Sequence, residues 1–435
     1  MRIDSIQIDN FRGIEHLDLE FDPHFTLLVG DNGSGKTSIL SAVSVALGIW
    51  HVSKIVGGAK QWRNIMDHEI REVPGLNENR ERQFVEGGEA AISANGATAG
   101  RSSCFWVRRK RGKKSRTVDV ASVDITADIE SVISARNEGR EPLPLLAYYG
   151  AGRAWLPSNE REFPELSGDL KARRADGYYD CLNERIRVKD ILKWFVLQAA
   201  ARDENGKFAP AFEAVRIALS RGIPGVDEIY WNRFKREVVV SIRGVAQPFS
   251  NLSDGQRTMA ATLADMAIRA VTLNPHLLGD GNGHFHPEEV LKQTPGVVLI
   301  DEVDVHLHPE WQRSVVRDLL STFPKIQFIC STHSAQVVGE TQPESLRIYQ
   351  PMARTWEIPN QSFGMDSNWI LKVHMGGKEM DPEVKKDILA AEKFAVRRDF
   401  PQAERLIQSL RERVGNSEEI QFAASTLERL KLSGK

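Results

Sequence analysis

Two stretches of this sequence carry residue types at spacings suited to chemistry. The first is the octet Gly30-Asp31-Asn32-Gly33-Ser34-Gly35-Lys36-Thr37, which fits G-x-x-x-x-G-K-[ST]. Its glycines let backbone N–H groups close around phosphate oxygens at the positive end of the helix that follows. Lys36 is placed to neutralise β- and γ-phosphate charge, Thr37 offers a hydroxyl to Mg2+, and Ser38 reaches the α-phosphate side. The second is Val297-Val298-Leu299-Ile300-Asp301-Glu302, an apolar run ending in two carboxylates. Asp301 suits a magnesium ion held through water, and Glu302 suits a base that orients an attacking water. A solvated turn is the bland reading of that pair alone; the phosphate loop gives it a chemical partner.

Two further segments complete the set. Leu252-Ser253-Asp254-Gly255-Gln256 opens a helix at a serine N-cap and makes a second phosphate cradle. Ser331-Thr332-His333-Ser334 closes another apolar strand, where a lone histidine is more often structural than functional. In this order the four segments resemble the Walker A, signature, Walker B and switch-histidine motifs of ABC ATPases. That resemblance implies ATP and Mg2+ as cofactors, with Glu302 and His333 catalytic and Thr37 and Asp301 on the metal. It also implies that the signature residues Ser253, Asp254, Gly255 and Gln256 act in trans on nucleotide held by another copy. A homodimer or higher homo-oligomer follows.

The start Asn10-Phe11-Arg12-Gly13-Ile14 is similar to that of the SMC-like branch, in which the arginine contacts nucleotide. Asp301-Glu302 through Leu307-His308-Pro309 is similar to the same branch and places Asp304 and His306 in its D-loop; Pro309 suits a helix's first turn. The long stretch between Lys36 and Leu252 lacks sustained heptads, so a compact helical insert is expected rather than a long coiled coil. The branch's Q-loop glutamine has no clear counterpart, and the Tyr149–Arg153 loop is its best equivalent. The "A-Y-Y-G-A-G-R" run at Ala147–Arg153 and a helical tail resemble the ATPase subunit of Septu-type antiphage systems, and a similar subunit of some retron systems. There the ATPase partners a small HNH endonuclease, which implies such a nuclease docking on the C-terminal helices. The alternatives are a DNA repair or recombination ATPase with no nuclease partner, a nuclease in its own right, and a transporter subunit.

These residues need an α/β frame. The expected fold is an ABC-type P-loop core with a mostly parallel sheet, a helical insert between Walker A and signature, and a small C-terminal helical unit. Strands are expected at Arg2–Ile8, Leu17–Phe21, Phe25–Val29, Leu143–Tyr149, within Glu228–Ile242, at Gly296–Ile300 and at Ile326–Ser331. The helix Lys36–Ile49 sets Ile39, Leu40, Val43, Ala46 and Leu47 on one face. The expected division is 1–55 with Walker A, 56–140 β-rich and variable, 141–225 core strand plus helical insert, 226–365 with signature, Walker B and switch histidine, and 366–435 helical. In the tail, Phe394, Leu406, Ile407 and Leu410 suit closure of a hairpin, and Phe422, Leu427 and Leu430 line a third helix.

Composition is neutral in its implications: 41% hydrophobic, 27% charged and net charge −2 over 435 residues give no global pull toward nucleic acid. The basic turn Arg108–Arg116 is the one local candidate for DNA contact, a solvated hairpin tip being the other reading. Three scattered cysteines, a charged N-terminus and no apolar run of the ~20 residues a bilayer needs lead to an expected cytoplasmic location without a membrane partner.

Overall fold

Phe25–Val29 (β3) and Gly296–Ile300 (β13) are buried at every residue, which an apolar strand achieves only when covered on both faces. The computed structural model describes residues 1–52, 63–76, 82–98, 101–120, 125–127, 129–131, 141–153, 174–206, 208–232, 234–235, 237–279, 283–377 and 380–432. Two compact units emerge, Met1–Asp366 and Ser367–Lys435.

In the first unit, Leu145–Tyr149 (β9), β13, Ile326–Thr332 (β14), β3 and Leu346–Gln350 (β15) lie side by side and parallel. A short antiparallel strand, Thr355–Glu357 (β16), closes the β15 edge, giving the order β16-β15-β3-β14-β13-β9. A mostly parallel sheet is therefore what forms. Beside it stands a five-stranded antiparallel sheet made of Arg2–Phe11 (β1), Ile14–Glu20 (β2), Ala90–Ala97 (β6), Cys104–Lys110 (β7) and Val118–Val120 (β8), ordered β2-β1-β6-β7-β8. Glu72–Leu76 (β4) and Arg82–Glu86 (β5) form a separate hairpin, and Val226–Asn232 (β10), Glu237–Ile242 (β11) and Val245–Pro248 (β12) a three-stranded meander.

The helix after the phosphate loop, Lys36–Leu47 (α1), packs on both sheets at once, against β1, β6 and β7 and against β13 and β14. That position corrects the one-faced reading: every residue from Ile39 to Leu47 is buried, Ser41 and Ser44 included. Its C-terminal carbonyls are satisfied from β7, where Trp106 Nε1 donates to Ala46 O at 3.1 Å and the Arg108 guanidinium to Val45 O at 2.8 Å. The opening hairpin is longer and tighter than expected, because β1 runs on to Phe11, which pairs directly with Ile14.

The basic turn needs a second correction. Along β7 side chains alternate, and Arg108 and Lys110 point inward. Arg108 is 1% exposed and bonds Asp119, Arg63 O and Asn64, while Lys110 bonds Ile65 O and Asp67. Neither is available to DNA. Arg109, Arg111, Lys114 and Arg116 face out.

The insert supplies helices Val188–Asn205 (α2) and Pro210–Gly222 (α3), which are locked together by Trp194 stacked on Phe212. Residues 154–173 of the expected helical insert lie outside the described residues. Asp254–Leu273 (α4), Pro287–Gln293 (α5), Pro309–Thr322 (α6) and Ala335–Gly339 (α7) complete the unit.

The second unit consists of Ser367–His374 (α8) and three longer helices, Pro382–Val396 (α9), Phe400–Val414 (α10) and Glu418–Leu432 (α11). Asp381 and Asp399 cap α9 and α10 through their side chains, and Pro follows each cap at the start of the helix. Ile388, Ala391, Ile407, Leu410, Ile420 and Leu427 form its own core, with Phe394, Leu406 and Leu430 packed at the edge. Phe422 is not part of it: 67% exposed, it points away. Among the described residues no helix is long and apolar enough to cross a membrane.

Candidate active site

The phosphate loop is shaped by its backbone. Gly35 caps α1 in the left-handed region, φ 97°, where a side chain would be strained. Lys36 is 6% exposed and donates to the loop's own Gly30 and Asp31 carbonyls at 2.6 and 3.1 Å. Burial lowers its ammonium below the usual lysine range, an effect partly offset by Asp301, Glu302, Asp31 and Asp304. Ser34 Oγ is buried with no hydrogen-bond partner, so the loop holds an unused hydroxyl where a phosphate oxygen would be met.

The carboxylate pair comes from the end of β13. Asp301 accepts from Thr37 Oγ1 at 2.8 Å and, on its other oxygen, from Ser331 Oγ. This adjacent hydroxyl and carboxylate fit Mg2+, which when bound would screen phosphate charge. Glu302 sits in the left-handed region, φ 49°, a conformation a non-glycine residue keeps only when its surroundings hold it there. The holders are visible: its N–H donates to Ser331 Oγ at 2.8 Å and its carbonyl accepts from Arg153 at 3.1 Å. Arg153 also donates to Asp301 O at 2.6 Å and to Gly150 O at 3.2 Å. Burial brings its guanidinium down to about 10, against the pull of Cys330, Asp301, Asp304 and Glu302, so it stays cationic near neutral pH.

Asn32 to Ser38, Asp301, Glu302 and His333 line one cavity of about 470 Å³ with Gly13 and Ile14 of the opening hairpin. Arg12 does not line it. Its guanidinium donates to Glu69 Oε1 at 2.9 Å, within a buried cluster where Glu69 also accepts from Arg63, Ser41 and the Met66 N–H. Burial pushes the Glu69 carboxyl up, but Arg63, Met66 N–H and Arg12 overcome that and hold it at about 2.

The signature lies elsewhere. Ser253 is the N-cap of α4, its Oγ accepting from Gln256 N at 3.3 Å while Gln256 Oε1 accepts from Ser253 N at 3.0 Å, a closed capping box. Asp254 pairs with Arg257 on the exposed first turn. Gly255 is pressed on the D-loop: a Cβ there would stand 2.1 Å from His306 O, so only glycine fits. Ser253, Gly255, Gln256 and His306 line a second cavity, of about 540 Å³, which shares no lining residue with the first. Asp304 lies between them: its Oδ1 accepts from Thr332 Oγ1 and from the His333 N–H, and its carbonyl accepts from the Leu307 N–H at 3.0 Å.

Sequence reasoning pointed to the loop ending at Arg153 without assigning the arginine a task, and it missed Glu69 altogether. It also missed Tyr349, Arg354 and Trp356, which line the first cavity. Nothing in the sequence marks them, because the phosphate loop they share a cavity with is distant along the chain.

A family model described as an AAA domain matches residues 5–207. "Retron Ec83 probable ATPase" of Escherichia coli is 24% identical over 456 residues, 91% of this chain and 81% of that protein. The chain is a P-loop ATPase. Its similarity to "Retron Vc95 probable ATPase" of Vibrio cholerae is 36% over 31% of this chain and 24% of the relative; to "Septu protein PtuA" of Bacillus mycoides it is 24% over 76% and 38%. The ATPase thus spans less than half of these two relatives. Among solved structures, the SMC head domain from Thermotoga maritima matches 80% of the ATPase and 94% of that chain at 17% identity, with a TM-score of 0.40.

Proposed function

We propose that this ATPase binds and hydrolyses Mg-ATP at sites completed by a second copy of itself, and that its nucleotide state licenses a partner HNH-type nuclease in antiphage defence. In this reading Lys36, Thr37 and Asp301 hold the phosphates and metal, Glu302 orients the water, and His333 reads the γ-phosphate. The single observation that supports it best is that the phosphate loop and the Ser253–Gln256 helix start line two cavities with no residue in common. A signature helix facing its own cavity needs a γ-phosphate brought by another chain, and a head-to-tail pair supplies two. Asp304, bonded beside His333 and two residues from His306, would carry the state of one cradle to the other.

Defence rests on likeness to the retron ATPases and the Septu protein, and the nuclease on the resemblance of Ala147–Arg153 and the helical tail to the Septu-type ATPase subunit. A tail with its own core, none of whose described residues lines either cavity, suits a docking unit. A repair ATPase without a nuclease is the second reading, favoured by 56% identity over 43 residues with the DNA replication and repair protein RecF of Pasteurella multocida.

The dimer is tested by mixing. Lys36→Ala and Ser253→Arg proteins, each inactive alone, regain partial turnover when combined, because one composite site then has two intact halves. Turnover no greater than the sum of the separate variants would remove the shared site.

A further inference from the structure

The phosphate residues occupy only part of the first cavity. Its other wall is the β15–β16 hairpin, where Tyr349 and Trp356 are direct cross-strand partners with ring centroids 5.4 Å apart and planes inclined at 54°. The pair is fixed relative to the phosphate loop: a Cβ on Gly30 would lie 2.9 Å from the Tyr349 Cβ, so the hairpin rests on the loop's first glycine. Ile14 and Leu17 of β2 line the same space and Arg354 stands beside it. Arg354 ends the hairpin loop at φ 55°, its N–H donating to Gln350 O at 2.7 Å. That left-handed position ordinarily falls to Gly or Asn.

We propose that this wall is a nucleobase subsite, in which the Tyr349–Trp356 pair gives a purine an aromatic surface and Ile14 and Leu17 give it an apolar one. The inference rests on the phosphate loop being the ATP site and adds which part of the nucleotide the hairpin holds. Stacking needs a π face and no particular hydrogen-bonding edge, so the subsite favours the larger purine ring over a pyrimidine and separates adenine from guanine poorly. Arg354 adds a cation able to lie over the ring or reach toward the phosphates. The chain's own anchor for the triphosphate is on another element, so base and phosphate recognition are separable.

The test uses the full chain with Mg2+ and calorimetric titration of three probes: ATP, CTP and inorganic tripolyphosphate. Trp356→Ala weakens ATP binding by about 5- to 150-fold, the range of one stacked base. It leaves tripolyphosphate within about twofold of the parent and abolishes the preference for ATP over CTP. Trp356→Phe restores most of the loss. Unchanged ATP affinity in Trp356→Ala would overturn the subsite, and so would parallel loss of ATP and tripolyphosphate, since the hairpin would then only prop the loop. ATP affinity indifferent to Lys36→Ala would instead overturn the phosphate-loop reading.

Discussion

One guanidinium, that of Arg153, holds the main-chain oxygens of both Asp301 and Glu302, at 2.6 and 3.1 Å. The contact sets where Glu302 aims without touching its carboxylate, so Arg153 is a positioning residue. Arg153→Met keeps the apolar stem and leaves buried carbonyls unpaired, at about 1–3 kcal/mol each. The expected result is kcat lowered at least about tenfold while the ATP Kd moves less than about threefold, the split that marks a lost transition-state arrangement. Glu302→Gln sets the reference, with ATP bound and hydrolysis stalled. Arg153→Lys recovers part of the rate. Loss that falls on Kd with kcat intact would assign Arg153 to binding.

Glu69 makes the antiparallel sheet's attachment to α1 pH-dependent. Its carboxyl titrates at about 2 in the fold against an ordinary value of 4.5. A lowered carboxyl stabilises the fold fully above the unfolded value, and that contribution fades as pH falls from about 4.5 toward about 2. The difference corresponds to something on the order of 3 kcal/mol. Glu69→Gln is expected to be less stable at pH 7, because Arg63 and Arg12 lose their counter-charge, and to have a flatter Tm profile below pH 5 than the parent. Parallel profiles for the two proteins would show that the acid sensitivity comes from other groups.

The same cluster shows where the sequence was readable and where it was not. Val297–Ile300 announces a buried strand because four apolar residues in a row suit nothing half-exposed, and Lys36–Ile49 announces a helix by its period. The parallel sheet followed from those runs. What stayed hidden was three-dimensional pairing. Ser41 and Ser44 look like a solvent face until Arg63 and Glu69, 19 and 28 residues further on, meet their hydroxyls. Arg108 looks like part of a cationic tip until strand alternation turns it under the sheet. Phe422 looks like core by its helical spacing, yet α9 and α10 leave it outside. An aromatic wall such as Tyr349–Trp356 gives no local signal at all, since neither residue belongs to a motif.

The end of β7 and the turn after it are a candidate DNA-binding element through four residues. Arg109, Arg111, Lys114 and Arg116 face out, whereas Lys113 is engaged with Glu72. Changing these four to serine is expected to weaken duplex binding and to flatten the salt dependence by about 0.9 in log–log slope for each phosphate that the turn no longer neutralises. Arg108 and Lys110 are left in place because they hold the fold. A slope unchanged by the fourfold variant would make the turn a solvated tip.

The tail gives the last expectation. Residues from Ser367 onward have a core of their own, built on Ile388, Ala391, Ile407, Leu410, Ile420 and Leu427, and none of the described ones lines either cavity. A chain ending at Asp366 is therefore expected to fold, to keep the parent's ATP turnover within about twofold, and to melt at a similar temperature. If the tail docks a nuclease, co-expression with the protein encoded beside this one recovers the complex with the full chain and not with the shortened one. Leu389 and Phe422, both exposed on the tail, are the first residues to change within the full chain, each to serine. They are outside the tail's core, so substitution is expected to cost less than about 0.5 kcal/mol of stability while weakening the partner. Aggregation or early melting of the shortened chain would make the tail a lid for the core, and partner capture by a well-folded shortened chain would move the docking surface into Met1–Asp366.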